Sequence, residues 1–176
     1  SNAVMDQITI DTTGNATASA ASLSVSRDDH AGCANSSRAV FAGAYAASNV
    51  IDYVTWASLG SGTDFGNLTQ ARGMLAGLSS ETYGVFGGGT TGSAVNAIDY
   101  VTIATTGNAT DFGDLSVSRM RLAASSNGTR GIFGGGNSGS ANNTIDYITI
   151  SSLSNATDFG DLLAAKDKLS AASGNA

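Results

Sequence analysis

Carboxylates are the residues of this chain best suited to chemistry. Asp111 and Asp114, and again Asp158 and Asp161, flank the turn Asp-Phe-Gly-Asp, while Asp64 faces Asn67 in an earlier version of that turn. Paired acids serve glycoside hydrolysis or bind Ca²⁺. Catalysis, however, needs one special pair, and these acids return once per turn. A recurring acid fits a turn cap, in which Asp or Asn accepts a hydrogen bond from its own backbone, with calcium as the alternative. His30 and Cys33 are the single histidine and cysteine. A nucleophile and its base must lie within hydrogen-bonding reach, whereas a strand would point these two to opposite faces. A lone cysteine excludes an intrachain disulfide or a cysteine-based zinc cluster, and Cys33 is expected as a small buried hydrophobe. The expectation is no catalytic residue, no bound metal and no cofactor.

Four cations form a second set: Arg27, Arg72, Arg119 and Lys166. Gathered around one axis they would hold an anion or an acidic glycan through charge-assisted hydrogen bonds. The competing reading pairs each with a carboxylate such as Asp114 or Asp161, because buried charges are normally paired.

The elements that must position these groups repeat. Ile-Asp-Tyr stands at Ile51, Ile98 and Ile145, and Asp52, Asp99 and Asp146 follow one another at 47 residues, as do Phe65, Phe112 and Phe159. An eroded copy precedes them: Met5 to Ile10 matches Ile98 to Ile103, and Thr12 to Thr17 repeats letter for letter as Thr105 to Thr110. Such a period points to stacked or radially arranged units that complete one another's cores. Each copy splits into four short β-favouring runs punctuated by Gly, Asn, Ser and Thr, without a sustained helical period. In Ala97 to Ile103 a strand places Ile98 and Tyr100 on one face and Asp99, Val101 and Ile103 on the other, so both faces are covered. Trp56, where the other copies have Ile103 and Ile150, is expected to pack between sheets. Gly87-Gly88-Gly89 and Gly134-Gly135-Gly136 close apolar runs, where positive φ and a close backbone approach call for glycine. The first copy keeps only the central one, Gly43. No helix or downstream acid gives these glycines the setting of a dinucleotide loop.

A basic residue, an apolar run ending in glycines, a tyrosine strand and an aromatic strand follow in order at Arg119, Gly131-Ile132-Phe133-Gly134-Gly135, Asp146-Tyr147 and Phe159. This order resembles the kelch family, with Phe where kelch repeats usually carry Trp. The resemblance implies an all-β propeller of four-stranded blades: residues 23–68, 69–115 and 116–162 would form three blades, with a fourth shared between 4–22 (closing strands) and 163–176 (inner strand). Residues 1–3 read as a cloning remnant. A monomeric four-bladed ring is expected, with a dimeric ring or an open fragment as alternatives, since unpaired strand edges in the incomplete blade invite association into a homo-oligomer. The wording Gly-Asn-Ala-Thr-Asp-Phe-Gly-Asp also resembles repeats in structural or tail-associated proteins of marine bacteriophages.

Composition narrows function. A net charge of -6 and a pI near 4.4 disfavour nucleic acid and anionic membranes, which attract clustered Lys and Arg. No apolar run approaches the roughly 20 residues of a membrane span. Charged residues make up 12% of the chain, so the surface must be dominated by hydroxyl and amide groups suited to wet, adaptable hydrogen bonding. Loops that differ between copies are the place to seek a ligand: Tyr45 to Asn49, Thr90 to Asn96 and Asn137 to Asn143 after the glycines, and the hairpins carrying Arg38, Tyr83 and Arg130, residue types that interfaces favour. The resulting expectation is a non-enzymatic binding or structural module of a virion or extracellular appendage, recognising a surface glycan or protein. A kelch interaction domain of a larger cellular protein is the alternative, and a propeller hydrolase or lyase a distant one.

Overall fold

The computed structural model describes residues 2–173 and is all-β. A two-stranded hairpin comes first, β1 (Asn2–Gln7) with β2 (Thr17–Arg27). Three four-stranded antiparallel sheets follow, each a simple meander. The first holds β3 (Ala31–Ala34), β4 (Arg38–Ala42), β5 (Val50–Thr55) and β6 (Thr63–Asn67). The second holds β7 (Ala76–Ser79), β8 (Tyr83–Gly87), β9 (Ala97–Thr102) and β10 (Thr110–Asp114). The third holds β11 (Ala123–Ser126), β12 (Arg130–Gly134), β13 (Asn142–Thr149) and β14 (Thr157–Lys166).

Register repeats with the sequence. Tyr53 pairs with Thr63, Tyr100 with Thr110 and Tyr147 with Thr157. In the hairpin, Gln7 pairs with Thr17 and Asp6 with Ala18, the same register as Asp52 with Asp64. The hairpin is thus the outer half of a sheet. The shared fourth sheet expected from the two termini is not formed: among the described residues β1–β2 stands as a separate pair and 167–173 makes no strand. The fourth copy has no apolar glycine-ended strand against which an inner strand would pair.

The core lies between sheets rather than inside any one. Val40, Ile51, Phe65 and Leu68 of the first sheet pack with Leu75, Phe86, Val101 and Ile103 of the second. Val85, Ile98, Phe112 and Leu115 in turn meet Leu122, Phe133, Ile148 and Ile150. Both faces of the second sheet are buried, which explains why its strands do not alternate cleanly between apolar and polar. Two devices join neighbours. The middle glycine of each triplet (Gly43, Gly88, Gly135) sits at φ 64–76°, where a Cβ would lie 2.5–2.7 Å from the carbonyl of Arg72, Arg119 or Lys166. That is why the first copy retains this glycine alone. At the outer edge, Asn108 Oδ1 accepts from Asn67 N–H (3.1 Å) while Ala109 N–H donates to Asn67 O (2.8 Å). Asn155 and Ala156 clip Asp114 in the same way.

Candidate functional site

Every sheet is approached through one residue in the left-handed region: Asp29 (φ 49°), Met74 (56°), Arg121 (57°) and, at the last copy, Lys168 (56°). This conformation costs an L-residue about 1–2 kcal/mol. Backbone bonds hold it: Met74 N–H donates to Asp29 O (2.8 Å), Arg121 N–H to Met74 O (2.9 Å) and Lys168 N–H to Arg121 O (2.9 Å). Among the described residues no bond returns from Asp29 N–H to Lys168 O, so the series is an open arc. Because the main chain makes these bonds, the side chains are free to differ.

These four residues, with the residue after each (His30, Leu75, Leu122 and Leu169), line one depression of about 360 Å³. Three leucines make an apolar floor. Arg121 and Lys168 supply positive charge, and among the described residues neither enters an ion pair. Asp29 supplies the opposing charge. Burial and the adjacent Arg27 hold the His30 imidazole below its ordinary value, against the pull of Asp29 and Asp28. Such a cup suits a ligand with an apolar face and an anionic or hydrogen-bonding edge. The loop after Gly43 borders it, since Tyr45 N–H donates to Asp28 O (2.9 Å). The loops after the glycines also share this end with the segments leading to the next sheet: Arg72 N–H bonds Ser48 O and Arg119 N–H bonds Val95 O, both at 3.1 Å.

The cation set lies elsewhere. Arg27, Arg72 and Arg119 are buried and paired with Asp52 (2.5 Å), Asp99 (3.0 Å) and Asp146 (2.8 Å). Asp114 and Asp161 are not their partners. Each arginine comes from the segment before one sheet and reaches the Ile-Asp-Tyr strand of that next sheet. The carboxylate also accepts the hydroxyl and N–H of Ser24, Thr69 or Ser116. The guanidinium further donates to the sheet's carbonyls, Arg119 to Thr144 O (2.9 Å) and Phe133 O (3.1 Å). Burial lowers the pKa of all three guanidinium groups, and the carboxylates oppose that shift. These arginines bind the frame together rather than presenting a ring of charge. Lys166, at the end of β14, is exposed.

Arg38, Tyr83 and Arg130 start the second strand of their sheets and each covers the tyrosine of the neighbouring strand. Arg38 lies 4.6 Å from the Tyr53 centroid, Arg130 4.5 Å from Tyr147, and Tyr83 meets Tyr100 edge-on at 5.7 Å. Those tyrosines lie edge-on to Phe65, Phe112 and Phe159, so a ladder crosses three strands of every sheet. Arg130 is exposed, while Arg38 and Tyr83 are half-buried.

The turn acids cap their own backbone: Asp64, Asp111 and Asp158 each accept from the glycine two residues on, at 3.2, 3.3 and 3.0 Å. Among the described residues no group of three His, Cys, Asp or Glu is placed to hold a metal. His30 lies edge-on to Phe41, whereas Cys33 packs beside Val40, on the opposite face of that sheet. Burial pushes the Cys33 thiol up to about 12. Trp56 departs from expectation: it lies just beyond β5, is 46% exposed and donates its indole N–H to Asn35 O (2.9 Å). Among the described residues what precedes this sheet is a two-stranded hairpin rather than a four-stranded sheet, and Trp56 is not buried as Ile103 and Ile150 are.

Sequence reading missed both the cup and the carboxylate that pairs each arginine. The pairing had a signal, an acid recurring inside an apolar strand. The cup had none, because Asp, Met, Arg and Lys share no chemistry at that step. No protein-family model matches the chain, and no curated protein matches it.

Proposed function

We propose that the chain is a non-enzymatic binding module of β-propeller type, carried on a virion or another extracellular appendage, that recognises a glycan or protein through the end bearing the axial cup. One observation carries this reading. The same backbone-bonded position shows four different side chains around a shared depression, so the repeat fixes the frame while variation there builds an asymmetric site. The acids and cations that repeat, by contrast, cap turns or pair in the core. The surrounding loops supply hydroxyl and amide groups that suit hydrated, adaptable contacts. Single-site affinity is expected to be weak, with multivalent display compensating by local concentration.

Glycan arrays and cell-binding assays on multimerised protein test this. Arg121→Ala and Lys168→Ala should remove binding without altering the β-type circular dichroism spectrum. Tyr83→Ala, at the far end of the sheets, should leave it intact. Multimers that are folded yet bind neither glycans nor cells would replace recognition with a purely architectural spacer role.

A further inference from the structure

The two ends of the arc carry complementary halves of the interface that joins one sheet to the next. On the third sheet, Ile132 is 36% exposed and Phe159 55%, although their counterparts Val40 and Val85 are 0% exposed and Phe65 and Phe112 are 2% and 3%. A cleft of about 400 Å³ lies on this face, between Ile132, Ile145 and Leu162. Leu163 beside it is fully exposed. This is the face that the first and second sheets bury against their successors.

The hairpin β1–β2 carries the other half. Ile8 and Ile10 correspond to Val101 and Ile103, which are 3% and 0% exposed against the preceding sheet, yet here they are 68% and 92% exposed. The turn Gly14-Asn15-Ala16 repeats Gly107-Asn108-Ala109, the clip that grips Asn67. Its matching receptor is Asp161, the counterpart of Asn67 and Asp114. A Cβ on Gly66 or Gly113 would lie 2.3–2.6 Å from the clip's backbone, while Gly160 faces open space. The hairpin cannot simply be free to swing, since it is anchored on the first sheet through Leu23, Gly62 N–H to Ser22 O (2.7 Å) and the Arg27–Asp52 pair.

We infer that a second copy of this chain docks head to tail, its β1–β2 hairpin seated on the third sheet of the first. Ile8 and Ile10 cover Phe159 and Ile132, and Asn15 clips Asp161. The fourth ion pair of the series then forms between chains, Lys166 with the partner copy's Asp6, the two residues that match Arg119 and Asp146. Leu163, standing where Thr69 and Ser116 bond their carboxylate, exchanges that hydroxyl contact for apolar burial. Such a contact is heterologous, so it closes into a ring or runs on as a filament according to the rotation between copies. The inference stands independently of the ligand at the cup.

Light scattering coupled to size exclusion reads it directly. The chain should run at a multiple of its 17.5 kDa. Phe159→Asp alone and Ile8→Asp/Ile10→Asp alone should each give folded monomers, because all three positions are exposed within one chain. Mixing the two variants should restore a dimer, since each retains the half that the other lacks. A monomeric wild-type chain would overturn the inference in favour of closure within one molecule. Oligomers that survive both sets of substitutions, or a mixture that stays monomeric, would overturn it as well.

Discussion

Arg72 Nη1 lies 3.0 Å from Asp99 Oδ2, both side chains fully buried, and the contact joins the segment ahead of the second sheet to the third strand of that sheet. The same relation recurs at Arg27–Asp52 and Arg119–Asp146. In all three the Nε atom is buried without a hydrogen-bond partner among the described residues. Geometry this constant implies that the pair fixes where each sheet begins relative to its neighbour.

Removing one partner should therefore be costly. Asp99→Ala leaves Arg72 buried without its countercharge, a loss of about 3–5 kcal/mol. Arg72→Met with Asp99→Leu should recover most of it, because apolar replacement of both partners of a buried pair is often near neutral. Urea unfolding of the two single variants and the double variant supplies the cycle. Similar losses in all three would show that the charges act independently.

Glycine matters at the middle of the triplet for two reasons that add. Gly88→Ala must hold φ 66° and place its Cβ 2.5 Å from Arg119 O, so a loss above the roughly 1–2 kcal/mol of left-handed strain alone is expected. Gly107→Ala meets nothing within 4 Å and should shift stability by less than about 1 kcal/mol. Thermal melts of the two variants side by side make the comparison.

Equivalent positions should not be equally sensitive. Ile103 is 0% exposed and Trp56, its counterpart, 46%. Ile103→Ala should cost about 2–5 kcal/mol through the cavity it leaves, and Trp56→Ala markedly less despite the larger side chain. Equal losses would mean that the first sheet is covered by more than the hairpin.

Acid should loosen the end that carries the cup. The folded state holds the His30 imidazole below its ordinary 6.5 through burial and Arg27, so the unfolded chain takes up its proton first as pH falls. Stability from this group is complete above pH 6.5 and declines as pH drops towards the folded value. His30 keeps much of its surface in solvent and is desolvated only in part, where its ring meets Phe41, which keeps the effect small. A melting-temperature profile between pH 7 and 5 should fall more for the native chain than for His30→Leu, whose counterparts in other copies are leucine.

Much of the architecture was legible because the repeat registers strand boundaries directly: four β runs per copy, glycine after the second, tyrosine in the third and Phe in the fourth all lie where the period puts them. Turn caps at Asp64, Asp111 and Asp158 were legible too, since Asx turns are local. Partners separated by a sheet were not. Arg72 and Asp99 are 27 residues apart, and residue type alone does not choose Asp99 over Asp114. Burial decides, because only Asp99 sits on the covered face of an interior strand. The fate of Trp56 and Phe159 depended on what lies against their sheets, which no local pattern records. The left-handed residues were hidden for a further reason, since the handedness there is imposed by neighbouring backbone and leaves no preference for glycine.

The arginine of one unit answers an aspartate in the following sheet, and this sets the rule by which such a chain can change length. Excising residues 69–115 removes Arg72 together with Asp99 and leaves the other two pairs whole. Excising 73–119, also 47 residues, removes Asp99 with Arg119 and delivers Arg72 to Asp146. Within residues 28–165 any cut of one 47-residue period conserves charge matching wherever it falls, whereas a cut that follows the edges of a single sheet, such as residues 76–114, strands Arg72 without a mate. Recombination in whole periods is therefore electrostatically silent, and unit number is free to drift while the pairing code stays intact.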